Sequence, residues 1–358
     1  MIKVNYTDLA SFIINKALKI KPQEVVLIRG GYLALPFLEE LVITTFKNGA
    51  FAELDFTTNN IYRRRILDVP EEYLSVTPKH LLRWIEDVDC IINVGGDLKS
   101  AILATIPSPK IRLYKKAYYP YWEKIHNRSI RGAAIGFPTI EEAKFYGFDF
   151  EEFHDIFWKA VDIDYINMRK VEETLASKLR GKNNVKITTP NGTDIILNIK
   201  DRPIFLDAGT LEEEDIIIGN IHINIPCGEV FVAPVEDSAE GVAVFEENYI
   251  EGVKFTNLKL TFNKGKIIQV EGENKEKFIQ ILERETGDKD RIAELGIGTN
   301  TRINRITGYN LLDEKISGTV HLAIGGNRFY GGQNSSTHHR DLIMQKPTIY
   351  IDGELLSL

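Results

Sequence analysis

The chain has 358 residues, 43% of them hydrophobic and 27% charged, which suits two domains of about 100 to 200 residues each and leaves no low-complexity tract to stay disordered. A formal charge of −7 offers no broad cationic footprint for a phosphate backbone, so no nucleic-acid partner is expected, and the basic runs Arg63-Arg64-Arg65 and Lys115-Lys116 read as solvated surface. No stretch approaches the roughly 18 apolar residues of a membrane span, the N-terminus lacks a secretory pattern, and the two cysteines, Cys90 and Cys227, sit in apolar settings, so a cytoplasmic protein with reduced thiols is expected.

The first half alternates helix and strand patterns. Asp8 precedes an amphipathic run over residues 9–18, as an N-cap does, and Pro22 ends it. Residues 24–28 read as a buried strand closed by Gly30-Gly31, residues 34–47 as a helix with a C-cap signal at Asn48-Gly49, and residues 52–56 as the next strand. A helix over 78–86, a strand over 90–94 ending in Gly95-Gly96-Asp97, and a strand over 133–137 continue the rhythm. The two Gly-Gly turns match neither a G-x-G-x-x-G fingerprint nor a Walker loop and read as tight turns. Strands separated by helices of this length predict an α/β N-terminal domain with an open, mainly parallel sheet and helices on both faces.

Helices over 150–159 and 165–179 lead to the polar break Gly181-Lys182-Asn183-Asn184. The domain boundary is placed there, giving 1–181 and 182–358. Beyond it the period changes to that of strands. Residues 185–189 and 194–199 flank Pro190-Asn191-Gly192-Thr193, a hairpin signal because Asn-Gly tolerates positive φ at both central positions. A second hairpin is predicted over 258–262 and 266–270, around Asn263-Lys264-Gly265. One helix, 274–285, interrupts an otherwise antiparallel pattern, so the second domain is expected to be α+β and β-rich.

Charged residues inside apolar strand-like runs mark the second domain, and an ionised group is costly to bury unless paired or bound to metal. Four places show this. Glu229 lies in Pro226-Cys227-Gly228-Glu229-Val230-Phe231-Val232 on the face opposite Val230 and Val232, and Glu294 enters the glycine-rich Leu295-Gly296-Ile297-Gly298. His321 projects from the face opposite Val320, Leu322 and Ile324, and His339 and Asp341 share one side of a strand, while His338 points to the other and reads as an exposed strand residue. Two imidazoles and three carboxylates make an N/O donor set suited to Zn, Co, Mn or Mg. Taken alone, Glu229 or His321 reads first as a hydrogen-bonded interior residue and only second as a ligand, and no H-E-x-x-H helix or C-x-x-C pair is present.

In order, Pro226-x-Gly228-Glu229-Val230-Phe231-x-Ala233-Pro234, Glu294-Leu295-Gly296-Ile297-Gly298-Thr299-Asn300, Asp313-Glu314-Lys315-Ile316-x-Gly318-Thr319-x-His321-x-Ala323-x-Gly325, and His339-x-Asp341 with Asp352-Gly353 resemble the signature blocks of the aminopeptidase T (thermophilic aminopeptidase) family. The resemblance implies an α/β N-terminal domain, a β-rich C-terminal domain holding two divalent metal ions, and a homodimer. It implies Glu229, Glu294, His321, His339 and Asp341 as ligands, and release of N-terminal amino acids from peptides with a free N-terminus by a water activated between two ions. Known members carry a tyrosine shortly after the third-block histidine. Position 328 is Arg here, and Tyr330 is the nearest candidate for that catalytic role. Two other functions remain compatible with the residues: a metal-dependent amidase, and a metal-binding protein that has lost turnover.

Overall fold

The helix–strand rhythm of the first half builds one parallel sheet. The computed structural model describes residues 1–96 and 99–357, so Asp97, at the end of a predicted turn, lies outside the described residues. Strands Val25–Gly31, Phe51–Thr57, Cys90–Val94, Arg131–Ile135 and His222–Ile225 pair in parallel, with Phe51–Thr57 at one edge and His222–Ile225 at the other. Both faces are covered, which is why the inner strands read as continuous apolar runs. On one face Leu27 and Ile91 pack with Tyr121 and Ile125 of the helix Ser108–Asn127. On the other, Gly30 lies so close to Leu38 of the helix Leu35–Lys47 that a Cβ there would come within 2.8 Å of it.

Two local expectations change. The first helix, Tyr6–Phe12, is capped by Asn5, whose side chain accepts from the backbone N–H groups of Thr7 and Asp8; Asp8 lies in the first turn, where its charge favours the helix N-terminus. The 20-residue helix Ser108–Asn127 was not legible in the sequence, because Pro120 and a run of tyrosines and lysines mask its apolar stripe.

The chain divides into two compact units. One comprises Met1–Asp162, Gly209–Ile217 and Ile221–Cys227; the other comprises Ile163–Ala208, Ile218–Asn220 and Gly228–Leu358. Helix Tyr165–Leu179 thus goes with the second unit, and the parallel strand His222–Ile225 with the first.

The second unit holds two antiparallel sheets. In the larger, the strands Asn184–Thr188, Asp194–Asn198, Glu240–Ile250, Val253–Asn263, Lys266–Glu271, Thr348–Ile351 and Glu354–Leu355 pair, and both predicted hairpins are present. Their turns differ from expectation. At Asn191-Gly192 only the glycine has positive φ, and Thr193 N–H closes a longer loop on Thr189 Oγ1. Lys264 and Gly265 both have positive φ, as a two-residue type I′ turn requires.

The smaller sheet runs His339–Met344, Val320–Gly325, Ile292–Gly298, Glu229–Val232 and Phe205–Leu206 in spatial order. Its inward residues, among them Val230, Leu295, Val320, Leu322 and Leu342, join Ile187, Leu197, Phe245 and Leu260 of the larger sheet in a single core. Each such aliphatic side chain contributes about 1.5 to 3 kcal/mol by burial. The other face of the smaller sheet is therefore left for polar groups.

Candidate metal centre

Strand alternation sorts the smaller sheet into a core face and a chemical face. Register places Gly298 opposite Glu229, Gly296 opposite His321, Ala323 opposite both Glu294 and Asp341, and Gly325 opposite His339. All five sequence-identified residues consequently project from one face, over a floor of glycine and alanine. A β-bulge between Ile292 and Glu294 makes this consistent: it lets Ile292 and Leu295 both enter the core while Glu294 turns outward.

The five side chains form two groups that share Glu294. Glu229, Glu294 and His321 make one, Glu294, His339 and Asp341 the other, and in each the donor atoms lie within 4.8 Å of one another. His321 Nε2 is 3.1 Å from Glu229 Oε2 and 3.2 Å from Glu294 Oε1. The other oxygen of Glu294, Oε2, is 3.4 Å from His339 Nε2, which is 3.3 Å from Asp341 Oδ1. The first group is buried, with Glu229 and Glu294 each 4% exposed and His321 0%, whereas His339 and Asp341 are half-buried.

Supporting contacts orient these donors. His339 Nδ1 lies 2.7 Å from the carbonyl of Gly326; a carbonyl can only accept, so Nδ1 carries a proton and Nε2 is the nitrogen turned toward the carboxylates, where a metal ion would replace its proton. The Tyr330 ring lies 5.0 Å from that of His339 and 5.5 Å from Phe231. Burial pushes the Tyr330 hydroxyl above the ordinary phenol range, so it stays protonated at neutral pH. His338 departs from its expected exposure: it is buried, and its Nε2 lies 2.8 Å from the carbonyl of Lys289, away from the cluster.

Sequence reading gave no role to the residues behind the ligands. Lys315 is fully buried and its Nζ lies 2.5 Å from Glu229 Oε1, 2.8 Å from Asp207 Oδ2 and 3.0 Å from Glu314 Oε1. Asn310 donates to Asp341 Oδ2 and Glu314 Oε2, both at 2.8 Å. Glu172, also buried, accepts from Thr299 Oγ1 at 3.0 Å. A signal for it existed: Met168, Glu172, Leu175, Ala176 and Leu179 share the buried face of one helix, and only Glu172 is charged.

The electrostatics favour cations. Burial alone would lower the pKa of His321, but Glu229 and Glu294 hold it well above the ordinary imidazole range, and acidic neighbours do the same for His339. Burial alone would raise Asp341, yet His339 holds it well below the carboxylate range. Glu229 Oε2 is buried and accepts no hydrogen bond. Three carboxylates and two convergent imidazoles fit hard-to-borderline divalent ions.

Comparison with known proteins points to a metal-dependent enzyme. The family profile described as thermophilic metalloprotease (M29) matches residues 3–356. Among solved structures, wild-type AmpT from Thermus thermophilus is similar at 20% identity and a TM-score of 0.78, over 98% of this chain and 96% of that one. The 2,5-dihydroxypyridine dioxygenase from Pseudomonas putida KT2440 is similar at 14% identity and a TM-score of 0.61, over 99% and 97%. At these identities the likeness is one of fold. No curated protein sequence matches the chain.

Proposed function

The chain belongs to the thermophilic metalloprotease (M29) family and is a metal-dependent peptidase, and we propose that it is an aminopeptidase that uses two divalent ions to release N-terminal residues from peptides with a free N-terminus. The observation that carries the two-ion reading is Glu294, whose two oxygens face different histidines, His321 and His339. Glu229 and His321 would complete one ion's set, His339 and Asp341 the other's.

Ions bound there would activate water and polarise the scissile carbonyl. The chain's own residues do the rest. Lys315 and Gly326 fix the orientation of Glu229 and His339, so little reorganisation is needed when substrate arrives. Tyr330, protonated and beside His339, is the candidate donor to the oxyanion that forms as the carbonyl is attacked. The half-buried group is the side from which a peptide approaches.

Among the described residues no helix is long and apolar enough to cross a membrane. A cytoplasmic homodimer of twice the 40.7 kDa chain mass is part of the proposal. Zn, Co, Mn and Mg all suit the donors. The test pairs metal analysis with hydrolysis of aminoacyl anilides, dipeptides and N-blocked amides. Two ions per chain and cleavage restricted to free amines support the reading. Equal cleavage of N-blocked amides makes the protein an amidase, and bound metal with no turnover makes it a binding protein. The occurrence of the same fold in a dioxygenase is a reason to run all three substrates, since fold alone does not set chemistry.

A further inference from the structure

The segment from Asn310 to Lys315 touches both ligand groups, and each contact uses the carboxylate oxygen that faces away from the imidazoles. Lys315 Nζ holds Glu229 Oε1 at 2.5 Å, leaving Oε2 toward His321. Asn310 Nδ2 holds Asp341 Oδ2 at 2.8 Å, leaving Oδ1 toward His339. Glu314 joins the two, its Oε1 being 3.0 Å from Lys315 and its Oε2 2.8 Å from Asn310.

The segment is itself held firmly. Asp313 accepts from Thr307 N–H, Thr307 Oγ1 and Gly308 N–H, each at 2.7 Å, and the Lys315 carbonyl accepts from Asn300 N–H at 2.9 Å. At Gly298 a Cβ would come within 2.1 Å of the Ile316 carbonyl, so nothing larger than glycine fits between segment and sheet. A short polar stretch thus sets both carboxylates from behind.

We propose that Lys315 and Asn310 are positioning residues, each for one ion, Lys315 setting Glu229 for the buried ion and Asn310 setting Asp341 for the outer one, with Glu314 linking them. This rests on the two-ion reading. An ammonium suits the first place because its three donors meet Asp207, Glu229 and Glu314 at once, while an amide suits the second, where the carboxylate is half-buried. The opposite role for Lys315 is a plain counter-charge, which would repel a nearby cation. The two make contrary predictions: removing a counter-charge tightens the buried ion, whereas removing a positioning group loosens it.

The experiment strips the full-length protein of metal, refills it with Zn2+ or Co2+, and counts ions by native mass spectrometry and chelator competition. Glu229→Gln and Asp341→Asn serve as references for loss of the buried and outer ion. Lys315→Met should lower affinity for the buried ion by about 10- to 100-fold, keep the outer ion, and add little to Glu229→Gln in the double variant. Asn310→Ala should do the reverse and match Asp341→Asn. Asn310 is exposed, so this second variant tests the idea even where Lys315→Met does not fold. Unchanged or tighter binding of the buried ion in Lys315→Met, or equal weakening of both ions in Asn310→Ala, overturns the proposal. A wild-type protein that takes up fewer than two ions overturns the two-ion reading instead.

Discussion

The imidazole of His321 lies directly over Gly296: a Cβ added at that glycine would sit 2.0 Å from Nε2. Gly296→Ala therefore has to displace the ring from the Glu229–Glu294 pair. Because a shift of about 1 Å in a catalytic group costs on the order of 100-fold in rate, the variant should fold, lose metal and fall at least that far in activity. Normal metal content and turnover would show that the ring tolerates the shift.

His339→Ala and Asp341→Asn should each lower metal occupancy and cut turnover by about 100-fold or more, since each removes a donor. His338→Ala should retain metal and activity. Its contact with the Lys289 carbonyl makes it a costlier control than a surface residue, by about 1 kcal/mol of stability, read from a urea midpoint. If His338→Ala is as inactive as its neighbour, the assignment of faces on this strand is wrong.

Chelation should abolish hydrolysis, and Zn, Co or Mn should restore it. The burial difference between the two groups adds a second expectation, that metal leaves in two stages, the ion at half-buried His339 and Asp341 first and the ion at buried His321 last. Release of all metal in one step, or full activity after removal, counts against the site.

Tyr330→Phe keeps the ring contact with His339 and removes the hydroxyl. Loss of one oxyanion donor costs about 100- to 1,000-fold in kcat, so the rate should fall by that factor while metal content stays at the wild-type value. A kcat within a few-fold of wild type would reduce Tyr330 to a packing role.

His222, in the parallel strand His222–Ile225, lies against Gly132, and burial together with His126 pushes its pKa from 6.5 down to about 4. Because the folded value is below the unfolded one, the unfolded chain takes up the proton first as pH falls. The stabilisation is complete above about pH 6.5 and is lost from there toward pH 4, at up to about 1.4 kcal/mol per pH unit. Urea midpoints measured from pH 7 to 4 should fall less steeply in His222→Asn; parallel curves would remove His222 as the cause.

Much of the fold was legible because local rules suffice where tertiary demands agree with them. The strand Cys90–Val94 and the helix Tyr165–Leu179 match their predicted spans, since uniform apolar runs and a capped amphipathic period each admit one answer. Where several local solutions have similar energy, the fold chose among them. Asn5 took the cap that Asp8 could have filled, and Lys264-Gly265 formed the tight turn expected of Asn191-Gly192.

The same division holds at the site. Alternation along single strands was enough to place Glu229, His321, His339 and Asp341 opposite apolar neighbours, because a strand has only two faces. It could not show that Glu294 reaches both histidines, since that depends on a bulge that changes register between Ile292 and Glu294. Nor could it give roles to Lys315, Asp207 or Asn310, which approach the ligands from loops and short segments far along the chain. Chemical identity of the donors is a property of the sequence; their pairing, burial and charge balance arise only when strands distant in the chain lie side by side in one sheet, because Coulomb and hydrogen-bond energies depend on separation in space.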